Sequence, residues 1–200
     1  VWALVIGITL LLIFLPWLPP KRAGAAAVVD LDNCDGCKQC FEDCPFDAIS
    51  VQARTDGARH PLEVVVDPAL CTACGICVGS CHSANPFRKA KKHLLPGIDM
   101  PDLPVHDLRS KTNAALESMQ GDVKILVYGC DHGFEVSRLD TDSTRTISLF
   151  CSGMLPPTMI EYALKKGADG VMISGCRQYN CYNRFGDRWT EMRLERERYP

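Results

Sequence analysis

Two copies of one cysteine spacing constrain this chain more than any other feature in it. Cys34, Cys37, Cys40 and Cys44 follow the pattern C-x2-C-x2-C-x3-C, and Cys71, Cys74, Cys77 and Cys81 repeat it. Three thiolates this close wrap one corner of a cubane iron–sulfur cluster and leave the intervening amides free to face its sulfides. The fourth, on a short helical turn, is aimed away from its own loop and reaches the neighbouring cluster. The spacing therefore predicts two [4Fe–4S] clusters. One takes Cys34, Cys37, Cys40 and Cys81; the other takes Cys71, Cys74, Cys77 and Cys44. Zinc ribbons use paired C-x2-C without a third cysteine two residues on, so zinc fits this pattern poorly. Disulfides need an oxidising compartment and fit less well still.

The surroundings of these motifs resemble the bacterial two-cluster ferredoxins. Cys44-Pro45-Phe46-Asp47-Ala48-Ile49 follows the first motif, and Val66-Asp67-Pro68 leads into the second. The resemblance covers 28–87 and implies a two-cluster ferredoxin fold. One residue departs from it. The second motif ends Cys81-His82, where that family usually has proline. His82 reads as a surface residue, with an influence on the adjacent cluster's hydrogen bonding and potential as the alternative.

Residues 1–18 (VWALVIGITLLLIFLPWL) carry no charge. Eighteen helical residues span about 27 Å, close to the hydrocarbon thickness of a bilayer. Trp2 and Trp17 stand near the ends, prolines 16, 19 and 20 close the run, and Lys21-Arg22 follow. A transmembrane helix over 1–20 is the expectation, with everything after it on the cytoplasmic face of the inner membrane by the positive-inside rule. A secretory signal peptide cleaved near Ala23-Gly24-Ala25 is the alternative, but its charge would precede a shorter apolar core. The chain opens on valine inside the apolar run, which suggests a piece of something longer with further membrane helices upstream. A formal charge of −2 and no basic run interleaved with aromatics point away from nucleic acid.

From 88 to 121 the composition changes to Arg88-Lys-Ala-Lys-Lys92 and three spaced prolines. The basic run reads as a solvated face, and 96–121 reads as an extended connector with one short helix over 107–119. Beyond it, 123–128 (VKILVY), 146–150 (TISLF) and 170–174 (GVMIS) are short apolar runs of the kind buried on both faces of a parallel sheet. Between the last two, Pro156-Pro157 open a helix with an apolar stripe at Met159, Ile160, Ala163 and Leu164, and Gly167 ends it. In such a βαβ unit Cys130, Cys151 and Cys176 all fall at the carboxyl edge, where open α/β sheets build their sites, and Cys181 shares the last loop. Four converging thiols suit a [2Fe–2S] cluster. They also suit zinc, two redox-active pairs, or simply buried free cysteines.

The stretches Cys151-Ser-Gly153, Gly167-Ala-Asp-Gly170 and Gly175-Cys-Arg-Gln-Tyr-Asn-Cys181-Tyr182 resemble the delta subunit of methyl-viologen-reducing hydrogenase. That resemblance covers 124–188. It implies a [2Fe–2S] cluster on Cys130, Cys151, Cys176 and Cys181, and a role linking a hydrogenase to heterodisulfide reductase. The family often has a C-x-x-C pair after its first strand, whereas this chain has Cys130-Asp-His-Gly133, which makes His132 a possible substitute ligand or an outer-shell residue. The arginine-rich tail over 183–199 reads as a solvated helix; Arg177, Arg184 and Arg188 are candidates to meet a flavin phosphate or a partner carboxylate.

The expected architecture is thus α+β with an α/β part. It comprises a transmembrane helix (1–20), a ferredoxin domain (24–95), a linker (96–121) and a small parallel-sheet domain (122–200). No catalytic triad, acid–base pair, phosphate loop or dinucleotide fingerprint is present. The reading is a membrane-tethered electron-transfer subunit without catalysis of its own. It would connect a flavoprotein of the heterodisulfide reductase type, or another dehydrogenase, to a b-type cytochrome or quinone-reactive membrane component. A ferredoxin with a zinc-bound docking module and a thiol/disulfide enzyme are the two alternatives.

Overall fold

The structure is a computed structural model that describes residues 2–14, 24–87, 96–177 and 179–199. Helix α1 (Trp2–Phe14) is apolar on every side, and its described side chains are exposed. Its thirteen residues reach only about 20 Å, against about 30 Å of hydrocarbon. No helix among the described residues is long and apolar enough to cross a membrane. This overturns the expected transmembrane helix over 1–20. It also overturns the placement at the inner membrane that rested on it, and leaves the quinone-reactive cytochrome without its basis. The prolines and the Lys21-Arg22 pair of that argument lie outside the described residues, as does the basic run 88–92.

The first folded part holds β1 (Val28–Val29), α2 (Gln39–Asp43), an antiparallel pair β2 (Ile49–Ala53) and β3 (Leu62–Val66), and the four-residue turn of helix α3 (Ile76–Gly79). The stretch 96–121 is not a free connector. Its strand β4 (Ile98–Asp99) pairs antiparallel with β1, and α4 (Val105–Ser118) follows at once. The Asp99 carboxylate accepts the backbone N–H of Met100 and of Val105, so it serves the first turn of α4 where Pro104 provides no side-chain cap. Val105, Leu108, Thr112 and Leu116 form the buried stripe of that helix. Its Thr112 hydroxyl lies 2.7 Å from the buried Tyr128 hydroxyl in the second part.

That second part is a three-stranded parallel sheet in the order β6 (Thr144–Leu149), β5 (Ile125–Cys130), β7 (Gly170–Ser174). Helix α5 (Pro157–Lys165) connects β6 to β7, and Gly167 beyond it takes φ +104°, a conformation open to a residue without Cβ. Helix α6 (Gly186–Leu194) closes the chain. One hydrophobic core runs through both parts, from Val64, Val78, Ile98 and Met100 to Leu126, Leu149, Met154 and Tyr162.

A buried ion pair crosses the same boundary. Arg193 on α6 reaches Asp43 on α2 at 2.5 Å, and both side chains are nearly sealed from solvent, at 1% and 4% exposure. The same guanidinium donates to the Ser80 hydroxyl at 2.7 Å and to the Gly153 carbonyl at 2.8 Å. Arg198 also pairs with Asp43 and lies 3.9 Å above the Trp189 ring, whose N–H donates to the Asp43 carbonyl. Burial alone would raise the Asp43 pKa. Hydrogen bonds from Arg198, Ser80 and Arg193 outweigh that and hold it below the ordinary carboxylate value.

Removing one member of such a pair leaves an uncompensated buried charge. Arg193→Leu should therefore cost about 3–5 kcal/mol in anaerobic denaturant unfolding, whereas the exposed Arg196→Leu should stay within about 0.5 kcal/mol. Equal effects would mean that the pair does not hold the halves together. Asp99 behaves oppositely to Asp43. Burial pushes its pKa up to about 6, against the pull of its two backbone donors. Its charged form is disfavoured in the fold, so stability present below pH 4 or so is lost as pH rises through about 6. Asp99→Asn should raise the thermal midpoint at pH 8 more than at pH 5; an equal shift at both would count against this account.

Candidate metal centres

The two cysteine loops repeat each other in conformation as well as spacing. The residue before each second cysteine is left-handed (Gly36 at φ +70°, Ala73 at φ +60°). So is the residue after it (Lys38 at φ +70°, Gly75 at φ +76°). Successive left-handed turns make the backbone curl so that its amides face one centre, the nest geometry that suits anions and sulfides. A Cβ on Gly36 would meet the Leu62 carbonyl at 2.4 Å, so glycine is required there for space as well as for φ. Arg54 clamps the approach to the first loop, donating to the carbonyls of Leu31 and Cys34 while paired to Asp56 at 2.6 Å.

Cys34, Cys37, Cys40 and Cys81 line one cavity, with Val64, Ser83 and Ile98. Cys44, Cys71, Cys74 and Cys77 line a second, with Phe46, Ile49, Val66 and Met100. Each cavity thus draws three thiols from one motif and the fourth from the other. Burial, then the neighbouring thiol sulfurs, push the Cys40 thiol up to about 12, and the same causes push Cys77 well above its ordinary value. Burial likewise raises Cys37 and Cys74 to about 11, with the N–H of Gln39 and of Ile76 pulling the other way. Such thiols become thiolates only by exchanging protons for metal charge, and amide N–H groups aimed at sulfur tune iron–sulfur clusters. The two sets fit [4Fe–4S] groups in number, burial and donor chemistry.

The third set gathers at the carboxyl edge of the parallel sheet. Cys130 ends β5, Cys151 follows β6, and Cys176 lies just past β7. Cys130 Sγ is 3.8 Å from Cys176 Sγ. The Cys151 thiol donates to Cys130 and, despite desolvation, lowers its pKa; the N–H groups of His132 and Ser152 act in the same direction. Cys151 is raised in return, first by that bond and then by burial. Cys181 approaches from the last loop. A Cβ on Gly186 would lie 2.1 Å from Cys151 Sγ and 3.6 Å from Cys181 Sγ, so the start of α6 passes directly over these thiols. Four thiols with amide donors suit a two-iron cluster, and a tetrathiolate zinc has the same ligand count. His132 is stacked on Tyr182, with ring centroids 3.7 Å apart. That stack joins the loops of Cys130 and Cys181.

The second and third sets are neighbours. The Ile76 side chain, beside Cys77, comes within 3.5 Å of the point where a Gly186 Cβ would stand over Cys151. Met154 packs on Gly75 in the same way. Sequence reasoning missed this contact and the charged groups around it. Arg193 looked like one more solvated arginine, and only its place on the face of α6 that meets α2 distinguishes it. Arg184, a candidate for phosphate or carboxylate, instead donates to the Pro45 carbonyl at 2.6 Å and covers the Phe46 ring.

Residues 33–85 match the family described as a 4Fe-4S dicluster domain, and residues 128–198 match that described as methyl-viologen-reducing hydrogenase, delta subunit. A region similar to dicluster domains is thus followed by one similar to the hydrogenase delta subunit, called here the dicluster and delta-type domains. Among its relatives is the F420-non-reducing hydrogenase vhc iron-sulfur subunit of Methanococcus voltae, 48% identical over 40 residues, which are 20% of this chain and 28% of that protein. One subunit of the ferredoxin:CoB-CoM heterodisulfide reductase of Methanosarcina mazei is 33% identical over 69 residues, 34% of this chain and 9% of its own length. NADH-quinone oxidoreductase subunit I 2 of Streptomyces coelicolor is 35% identical over 78 residues, 33% of this chain and 39% of its own. The chain therefore spans well under half the length of each. No solved structure matches it. The match over 33–85 supports [4Fe–4S] clusters in that part of the chain.

Gly186→Ala would drive a methyl group into Cys151. The metal content of the delta-type domain should fall while the cubane EPR signals of the dicluster domain persist. Unchanged total metal would show that the approach of α6 to Cys151 is not tight.

Proposed function

We propose that this chain passes single electrons between a redox enzyme partner and its own two cubanes by way of a [2Fe–2S] cluster on Cys130, Cys151, Cys176 and Cys181. In this reading the cubanes are held by Cys34, Cys37, Cys40 and Cys81, and by Cys71, Cys74, Cys77 and Cys44. The partner is a flavoprotein of the heterodisulfide reductase type or another dehydrogenase. The observation that carries the reading is the Ile76 contact: Ile76 packs on Gly153 and Met154 on Gly75, so the loop of the second cubane set and the Cys151 loop pack on each other. A zinc docking module would need no such adjacency.

The clusters supply one-electron redox chemistry when bound. The chain's residues do the rest. The buried Ile76 and Met154 side chains lie between the second and third thiol sets, and N–H groups of His132, Ser152, Gln39 and Ile76 are directed at sulfur. Burial and such donors set cluster potentials over a wide range.

The test is anaerobic iron, zinc and acid-labile sulfide content of the whole chain, with EPR of the reduced sample. Two cubanes and one two-iron cluster predict about ten irons and a separable [2Fe–2S] signal. About eight irons with one zinc would reduce the delta-type domain to a docking module, and electrons would then have to enter at the dicluster domain.

A further inference from the structure

Between the two cysteine motifs only the cysteines repeat, and two of the positions that differ meet at one thiol. Asp35 in the first motif corresponds to Thr72 in the second, and His82 after the second corresponds to Pro45 after the first. The fold brings Asp35 and His82 together: His82 Nε2 lies 3.1 Å from Asp35 Oδ2. Asp35 Oδ1 accepts the Cys37 backbone N–H at 3.2 Å, and the Cys37 thiol also bonds this carboxylate. A ring nitrogen of His82, a carboxylate oxygen of Asp35 and Cys37 Sγ all lie within 4.8 Å of one another. Cys37 is the one exposed thiol of the twelve. The corner of the first cavity most open to oxidant and solvent is therefore the one flanked by two further metal-binding side chains.

We propose that His82, oriented by Asp35, is a reserve ligand for the iron that Cys37 would hold at this exposed corner. This rests on the reading that Cys34, Cys37, Cys40 and Cys81 bind a cubane. Imidazole is an ordinary iron ligand and replaces thiolate in some iron–sulfur centres. With Nε2 paired to Asp35, Nδ1 is the nitrogen left for iron, and a carboxylate on the other ring nitrogen is the partner that orients metal-bound histidines. The exchange breaks one iron–sulfur bond and forms one iron–nitrogen bond. The released Cys37 thiolate takes a proton from water, and no electron changes hands. Pro45 and Thr72 offer no such substitute at the equivalent positions of the other set, so the property belongs to the first cubane alone.

The experiment uses the full chain, reconstituted anaerobically with iron and sulfide. Cys37→Ala should keep the wild-type iron content and gain a nitrogen hyperfine coupling in pulsed EPR that wild type lacks. Cys37→Ala combined with His82→Ala should lose one iron per chain and show a three-iron EPR signal. A Cys37→Ala chain that already lacks that iron and shows no nitrogen coupling overturns the proposal. His82→Ala with Cys37 intact gives an independent readout. It should lose one iron to ferricyanide on the order of tenfold faster than wild type, the low end of what an outer-shell partner contributes at a metal site; an unchanged rate also counts against a reserve ligand. Wild-type protein without about eight cubane irons would instead sink the cubane assignment itself.

Discussion

Asp43 carries its charge where there is almost no water to solvate it. An isolated carboxylate in such a place would be protonated or would unfold its surroundings. It stays charged because Arg193, Arg198 and Ser80 converge on it from α6, the tail and the end of α3. Each of those elements lies beside a cysteine of one of the three thiol sets. Asp43 precedes Cys44, Ser80 precedes Cys81, and Arg193 also holds the Gly153 carbonyl two residues from Cys151. One charge cluster therefore sets the relative position of all three thiol sets. A buried ion pair is seldom worth more than apolar packing in net stability. What it does here is join α6 to α2 across the two parts of the chain.

The thiol sites follow from that arrangement. Positive φ at Gly36, Lys38, Ala73 and Gly75 curls the cysteine loops, and in Lys38 and Ala73 this strain falls on residues with a Cβ, at roughly 1–3 kcal/mol each. Such strain persists only where the surroundings over-determine the loop. Arg54 does so from one side of the first loop, and Met154 packs against Gly75 in the second.

The cysteine spacing anticipated which thiols share a cavity, because the curl of a short loop is a local property that sequence distance encodes directly. The parallel sheet was legible for a related reason: runs such as 123–128 and 170–174 are apolar at nearly every position, and Pro156-Pro157 with Gly167 frame α5. The rest depended on tertiary neighbours. Prolines at 96, 101 and 104 suggested a free connector, yet Ile98 and Leu108 are buried, because β4 completes a strand pair with a segment 70 residues earlier. Arginine in the tail suggested solvent, and sequence has no mark for the one guanidinium that turns inward. The apolar run at the start misled through its hydropathy. Its helix covers thirteen residues, and length is what crossing a bilayer demands.

The separation of Asp43 from Arg193, 150 positions along the chain, has a consequence for biosynthesis. At ribosomal rates of about 5–20 residues per second, roughly 8–30 s pass between the two residues. Throughout that interval the carboxylate has no guanidinium to face, and the surface that α6 will cover is open. The two cysteine motifs of the first half are complete while Cys130, Cys151, Cys176 and Cys181 are still being made.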